Sequence, residues 1–205
     1  MIAIVDYGMG NLGSIKNMLR KIGAQAIITS DPQEIIKAEK LILPGVGSFD
    51  SGIKNLTQLG LIEVLNQRVL NDKVPILGVC LGIQLMTNES DEGEMGGLGW
   101  FDAKTIKFNT KVVEEKLLLP NIGWRDVLLN KPSKLYKDMY EDPRFYFVHT
   151  YHLVSNNPSD VSMSANYGYD YVVGLERDNI LGVQFHPEKS HKFGMKLYEN
   201  FIRYY

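Results

Sequence analysis

The sequence predicts an α/β fold, a doubly wound mixed sheet with helices on both faces and a set of antiparallel strands in its second half. Three observations predict it. In the first half, short β-branched or aliphatic runs alternate with amphipathic helical patterns, the signature of parallel β-α-β units. From Phe101 to Phe185 strand-like runs follow one another with no helical pattern between them. The chain has 205 residues, 44% hydrophobic and 22% charged, enough for one full core, and residues 1–205 are expected to form a single domain.

The strand-like runs of the first half are Ile2 to Val5, Ala26 to Thr29, Lys40 to Leu43 and Pro75 to Val79. Helical patterns fall between them at Leu12 to Ile22, Pro32 to Ala38 and Leu61 to Leu70, the last with Leu61, Ile62, Val64, Leu65, Val69 and Leu70 on its apolar side. Right-handed crossovers then favour double winding. In the second half the spacing predicts strands at Ala103 to Phe108, Lys116 to Leu119, Phe145 to Val154, Val161 to Tyr167, Tyr171 to Glu176 and Ile180 to Phe185. Arg177-Asp178-Asn179 has hairpin-loop composition, and Phe193, Leu197, Tyr198 and Phe201 mark a closing helix over Lys192 to Tyr204.

Charge and cysteine usage narrow the function. A net charge of -2 leaves no basic footprint for nucleic acid or an anionic membrane surface. One cysteine rules out an intrachain disulfide framework, and Met1-Ile-Ala-Ile-Val enters a strand without a basic region or cleavage site. No apolar run approaches the roughly 20 residues of a spanning helix, so a cytoplasmic protein is expected. Glu89-Ser-Asp-Glu-Gly-Glu94 lacks calcium-loop spacing and is expected to be a solvated loop; no metal or cofactor is expected.

The single cysteine, Cys80, stands where an apolar run meets Gly78-Val-Cys-Leu-Gly82. A G-x-C-x-G turn between strand and helix projects its central side chain from a tight bend, as a nucleophile elbow does. It also sets the sulfur at a helix N-terminus, whose free N–H groups favour a thiolate. A buried cysteine acting as a small hydrophobe is the plainer alternative. Downstream, His186 and Glu188 flank Pro187 at the end of an apolar strand, which points both side chains to one side. Together with Cys80 they have the composition of a nucleophile, a base and the carboxylate that holds it. His149, His152 and His191 have weaker claims.

A competing motif lies at Gly8-Met-Gly-Asn-Leu-Gly13, a G-x-G-x-x-G turn after a strand, with Asp31 downstream at near dinucleotide-fingerprint spacing. It would suggest a nicotinamide-dependent oxidoreductase, but it leaves the cysteine elbow unexplained. Asp31, just before a proline, is also a common kind of helix N-cap.

Pro44-Gly-Val-Gly47, Gly-Val-Cys80-Leu-Gly-Ile-Gln84 and Gln-Phe-His186-Pro-Glu188 together resemble a class I, triad-type glutamine amidotransferase domain of flavodoxin-like architecture. Asp6 to Leu12, Pro44 to Phe49, Gly123-Trp124, Tyr146 to Tyr151 and His-Pro-Glu-Lys-Ser190 are most similar to the glutaminase subunits of imidazole glycerol phosphate synthases. The resemblance implies hydrolysis of L-glutamine to glutamate and ammonia, with Cys80 as nucleophile, His186 as proton carrier and Glu188 as its orienting carboxylate. It implies an oxyanion hole from Val46, Gly47 and Leu81, and glutamine contacts from Gly47, Gln84 and Glu92; a solvent-facing helix residue is the plainer alternative for Gln84 and Glu92. It implies a heterodimer with a (β/α)8 barrel cyclase that takes up the ammonia in histidine biosynthesis, with Asn11, Trp124, Tyr146 and Lys189 facing the barrel. The Gly8 to Gly13 turn would bind no dinucleotide.

One segment departs from that family. Pro120-Asn-Ile-Gly-Trp-Arg125 carries Asn121 where the family commonly has histidine and Arg125 where it has asparagine. That leaves the glutaminase chemistry intact and opens an alternative partner, an enzyme that amidates N-acetyl sugars for surface polysaccharides.

Overall fold

The computed structural model describes residues 1–111 and 117–205. Its first part runs β1 (Ile2–Val5), α1 (Leu12–Lys21), β2 (Ala26–Thr29), α2 (Pro32–Lys37), β3 (Lys40–Leu43), α3 (Phe49–Gln58), α4 (Leu61–Asn66), β4 (Ile76–Val79) and α5 (Leu81–Leu85). There follow β5 (Glu89–Ser90), β6 (Ala103–Lys107), β7 (Asn121–Leu129), β8 (Arg144–His149), β9 (Tyr151–Ser155), β10 (Val161–Asn166), β11 (Asp170–Arg177), β12 (Ile180–Val183) and α6 (His191–Tyr204). Among the described residues no helix is long and apolar enough to cross a membrane.

The sheet order is β2-β1-β3-β4-β12-β11-β10-β7-β8. From β2 to β12 the neighbours pair in parallel, and from β12 to β8 they pair antiparallel. A second ribbon of β6 and β9 joins this sheet through the pairing of Leu153 with Val172 in β11.

Alternation along β1 shows the double winding. Ile2 and Ile4 face one core with Ile15 and Leu19 of α1 and Phe193, Leu197 and Phe201 of α6, while Ala3 and Val5 face another with Ile35, Ile53 and Leu65. Each fully buried aliphatic side chain contributes about 1.5–3 kcal/mol of transfer free energy, so α1 and α6 are held chiefly by these stripes.

Four expectations need correction. Ile180 to Phe185 is not purely antiparallel: β12 pairs antiparallel with β11 and parallel with β4, and so welds the two halves of the sheet. Phe145 to Val154 is two strands, broken at Thr150, with β8 paired to β7 and β9 to β6. Lys116 lies outside the described residues, and Leu117 to Leu119 is irregular, with Leu118 exposed and its carbonyl accepting from the Tyr167 hydroxyl at 2.7 Å. Finally, Leu61 to Leu70 is not one α-helix, since Gln67–Asn71 widens into a π-turn.

Three elements escaped the sequence pattern: β5, which pairs Glu89 and Ser90 with β6 inside the run expected to be a solvated loop, β7 and α3. β7 exposes its apolar residues Ile122, Trp124 and Leu128 while burying Asn121, which inverts the alternation expected of a half-buried strand. α3 buries Phe49, Ile53 and Leu56 at helical spacing, but Gly52 in its first turns obscures it. Gly52 is needed where Leu85 of α5 crosses, 3.0 Å from where a Cβ would stand.

Candidate active site

β4 and β12 end together, because Val79 stands opposite Val183 in their parallel register. The Cys80 N–H extends that register by donating to the Val183 carbonyl at 2.8 Å. Cys80 and His186, far apart in sequence, are therefore delivered to the same end of the sheet. This is the carboxyl end of the parallel strands, the side on which open α/β sheets bind ligands.

Cys80 itself sits at φ 55°, a conformation costing a non-glycine residue on the order of 1–3 kcal/mol. Packing imposes it. A Cβ on Gly82 would collide with the Leu43 carbonyl, and one on Gly78 would come within 2.9 Å of the Ile83 nitrogen, so only glycines let α5 start this close to β3 and β4.

His186 and Glu188 are brought together as expected, with Nδ1 of the ring 2.8 Å from Oε1 of the carboxylate and both side chains almost wholly buried. The turn is pinned on both sides. The His186 N–H donates to the Tyr146 carbonyl at 2.9 Å, and the Ser190 hydroxyl donates to the His186 carbonyl at 2.7 Å while accepting from the Tyr146 N–H at 3.0 Å. Burial by itself would lower the His186 pKa, but the Cys80 sulfur and the Glu188 carboxylate outweigh it and push it up to about 10. The raised pKa favours the imidazolium, with its Nδ1–H committed to Glu188 and its other nitrogen left for the sulfur.

Beside the thiol lies a cavity of about 190 Å³. Of the residues singled out in the sequence, Val46, Gly47, Cys80, Leu81, Gln84 and Glu92 all line it; its opposite wall is the bend between β8 and β9, from Val148 to Tyr151, with Pro120. Gln84 is buried, not solvent-facing, and its Nε2 donates to the Tyr151 carbonyl at 3.2 Å and to Gln184 Oε1 at 3.1 Å. Glu92 lies in a turn, and its Oε2 accepts from the Phe49 N–H at 2.8 Å, so it also satisfies the start of α3. The Leu81 N–H is occupied: it donates to the Gly45 carbonyl at 3.3 Å.

Asn11, Trp124, Tyr146 and Lys189 reach the surface on the side of the His186 turn. Trp124 packs edge-on to Tyr146 at 6.2 Å between ring centroids, and the Lys189 ammonium stands 5.8 Å over the Tyr146 ring. Asn11 is exposed at the start of α1, whose next turns, at Ser14 and Asn17, share a cleft with Lys189.

Sequence reasoning missed Gln184, gave His149 only a weak claim, and assigned Tyr151 no role beyond its place in a family-like run. Gln184 is fully buried, with its Nε2 3.8 Å from the Cys80 sulfur. Its signal was a lone amide inside the apolar run Leu181 to Phe185. His149 lines the cavity, and burial pushes its pKa down to about 3, so it is neutral.

The Gly8 to Gly13 turn is built differently. Asp6 Oδ1 accepts from the Gly8 N–H at 3.0 Å, which sets a carboxylate where a pyrophosphate would need a donor. At Gly13, placed where a dinucleotide fingerprint packs helix on strand, a Cβ would meet nothing within 4 Å. Asp31 caps α2, its Oδ1 accepting from the Gln33 N–H at 2.9 Å.

Comparison with known proteins agrees with this geometry. The family model described as "Glutamine amidotransferase class-I" matches residues 3–204. The chain is 55% identical over 203 residues to imidazole glycerol phosphate synthase subunit HisH 2 of Methanococcus maripaludis, covering 99% of each chain. It is 44% identical over 202 residues to subunit HisH 2 of Pseudomonas aeruginosa, covering 98% of each. Among solved structures, PurLQS from Thermotoga maritima superposes with a TM-score of 0.72 at 16% identity over 99% of this chain and 97% of that one, a likeness of fold. The chain belongs to the class I glutamine amidotransferases, in the branch that the HisH subunits represent.

Proposed function

We propose that residues 1–205 are one glutaminase domain, which hydrolyses L-glutamine to glutamate and ammonia and serves as the glutaminase subunit of an imidazole glycerol phosphate synthase in histidine biosynthesis. The observation that carries this is Cys80, held at positive φ at the end of β4, against a His186 ring already engaged by Glu188. In the proposed reaction the sulfur adds to the carboxamide carbon of glutamine. His186 gives its proton to the departing amine, so the C–N bond breaks and ammonia leaves a γ-glutamyl thioester. Water, giving a proton to the now neutral ring, cleaves the C–S bond and releases glutamate.

Gln84, Gly47 and Glu92 would hold the amino-acid end of the substrate in the cavity. The oxyanion needs two N–H donors. Those of Val46 and Leu81 serve only after the Gly45–Val46 peptide turns over, because the Gly45 carbonyl now engages Leu81. Glutaminase activity is therefore low in the free chain and rises when a liganded partner favours the turned peptide. The partner proposed is a (β/α)8 barrel cyclase in the cytoplasm, docked on Asn11, Trp124, Tyr146 and Lys189, which converts its ribonucleotide and the ammonia into imidazole glycerol phosphate and aminoimidazole carboxamide ribotide.

The sugar-amidating alternative is not favoured. The relatives described above carry the synthase name, and the residues that raised the alternative, Asn121 and Arg125, bond within the chain. The test is glutamate release from L-glutamine by the chain and by Cys80→Ala, with size-exclusion of a mixture with the barrel subunit. Thiol-dependent turnover and a complex weakened by Trp124→Ala are expected; turnover that survives in Cys80→Ala would refute the chemistry.

A further inference from the structure

The departure at Asn121 and Arg125 is not a surface change. Asn121 is fully buried, and Arg125 turns inward: its Nε donates to Asn121 Oδ1 at 3.1 Å, Nη1 donates to the Trp124 carbonyl at 3.0 Å, and the guanidinium lies 4.7 Å over the Tyr167 ring. A guanidinium can only donate. It therefore dictates that the oxygen of the Asn121 amide faces Arg125 and the NH2 faces away. That NH2 meets His149 Nε2 at 3.1 Å and the Tyr171 hydroxyl at 3.1 Å.

The consequence passes through the imidazole. Nε2 of the neutral ring must accept, so its proton sits on Nδ1, which stands 2.8 Å from the Tyr151 carbonyl and donates to it. The Tyr171 hydroxyl, 3.4 Å from Nε2, is also consistent with an accepting nitrogen. The same Tyr151 carbonyl accepts from Gln84, which holds Gln184 beside the Cys80 sulfur. With the opposite tautomer, a lone pair on Nδ1 would face the carbonyl oxygen, and the cavity wall at the β8–β9 bend would lose its anchor.

We propose that Arg125 is a positioning residue which, by orienting the Asn121 amide, fixes the tautomer of His149 and so the wall of the glutamine cavity. The effect on substrate rests on the glutaminase function proposed above; the tautomer does not. The test is two-bond ¹⁵N–¹H correlation spectroscopy at pH 7 on histidine-labelled protein, with the His149 signal assigned by its loss in His149→Gln. Wild type is expected to show the proton on Nδ1. Asn121→Asp, which replaces the NH2 donor by an acceptor of the same shape, is expected to bring a proton to Nε2, as the other tautomer or as an imidazolium held between the new carboxylate and the Tyr151 carbonyl. Arg125→Met, which keeps the stem and removes a partly exposed head group, is expected to give a mixture.

In both variants KM for L-glutamine should rise about five- to tenfold with kcat little changed, the scale of one buried hydrogen bond. A wild-type ring protonated on Nε2, or a ring whose Nε2 stays unprotonated in both variants, would overturn the proposal. A wild type with the expected tautomer that releases no glutamate would instead overturn the glutaminase function and leave the orientation of His149 standing.

Discussion

Of the glycine-bounded turns that join a strand to a helix in this molecule, the one after β1 and the one after β4 differ in how tightly the glycine at the start of the helix is packed. After β4, Gly78 and Gly82 have no room for a Cβ, and the residue between them is forced to φ 55°. After β1, Gly13 faces open space, and the turn is closed by Asp6. Both satisfy a sequence motif, but only the turn after β4 stores the strain that projects a side chain from a bend. Glycine spacing is thus weaker evidence for a site than glycine crowding, which requires a third element: here β3, whose Leu43 carbonyl lies against Gly82.

This contrast can be broken by mutation. Cys80→Ala should lower glutamine hydrolysis by about 10³-fold or more, as losing a nucleophile from a unit of cooperating groups does. Next in size, Gly82→Ala should destabilise the fold by about 2–4 kcal/mol through overpacking against Leu43, seen as a lower urea midpoint. Gly13→Ala, its counterpart in the other turn, should stabilise by about 0.5–1 kcal/mol, since a helical glycine in open space only adds chain entropy to the unfolded state. If both glycines respond alike, crowding is not what separates the turns.

Two histidines make the pH dependence opposite at the two ends of the scale. His186 is raised from 6.5 to about 10, burial being outweighed by Cys80 and Glu188. Its contribution to stability is full below pH 6.5 and is lost as pH rises through about 10, and glutaminase activity should fall on that same alkaline limb. His149 is lowered to about 3 by burial, so its contribution is full above pH 6.5 and is lost as pH falls toward 3. Urea midpoints measured across pH should decline at both extremes. The acid decline should shrink in His149→Gln and the alkaline one in His186→Gln.

The parts of the molecule that were legible in the sequence are those where local pattern and tertiary role agree. β1 to β4 alternate with helices whose apolar stripes point at the sheet, and Cys80, His186 and Glu188 stand in short runs whose composition already suggests their chemistry. What was not legible depends on contacts distant in sequence. β7 hides its strand character by facing apolar residues outward and burying an amide. The break at Thr150 has no glycine or proline to announce it, yet it turns His149 and Tyr151 onto the cavity. For Gln84 a solvent-facing helix residue stayed open beside the glutamine contact because nothing nearby in the chain tells that Tyr151 and Gln184 cover it. The engagement of the Leu81 N–H by Gly45 is likewise visible only in three dimensions.

The most direct test of the account is glutamate release from L-glutamine by the chain alone and with a (β/α)8 barrel cyclase carrying its ribonucleotide substrate, using Cys80→Ala as the blank. The account predicts slow turnover by the free chain and strong, Cys80-dependent stimulation in the liganded complex. A free chain as fast as the complex would contradict it, because the Leu81 N–H that the Gly45 carbonyl now occupies would then not be limiting.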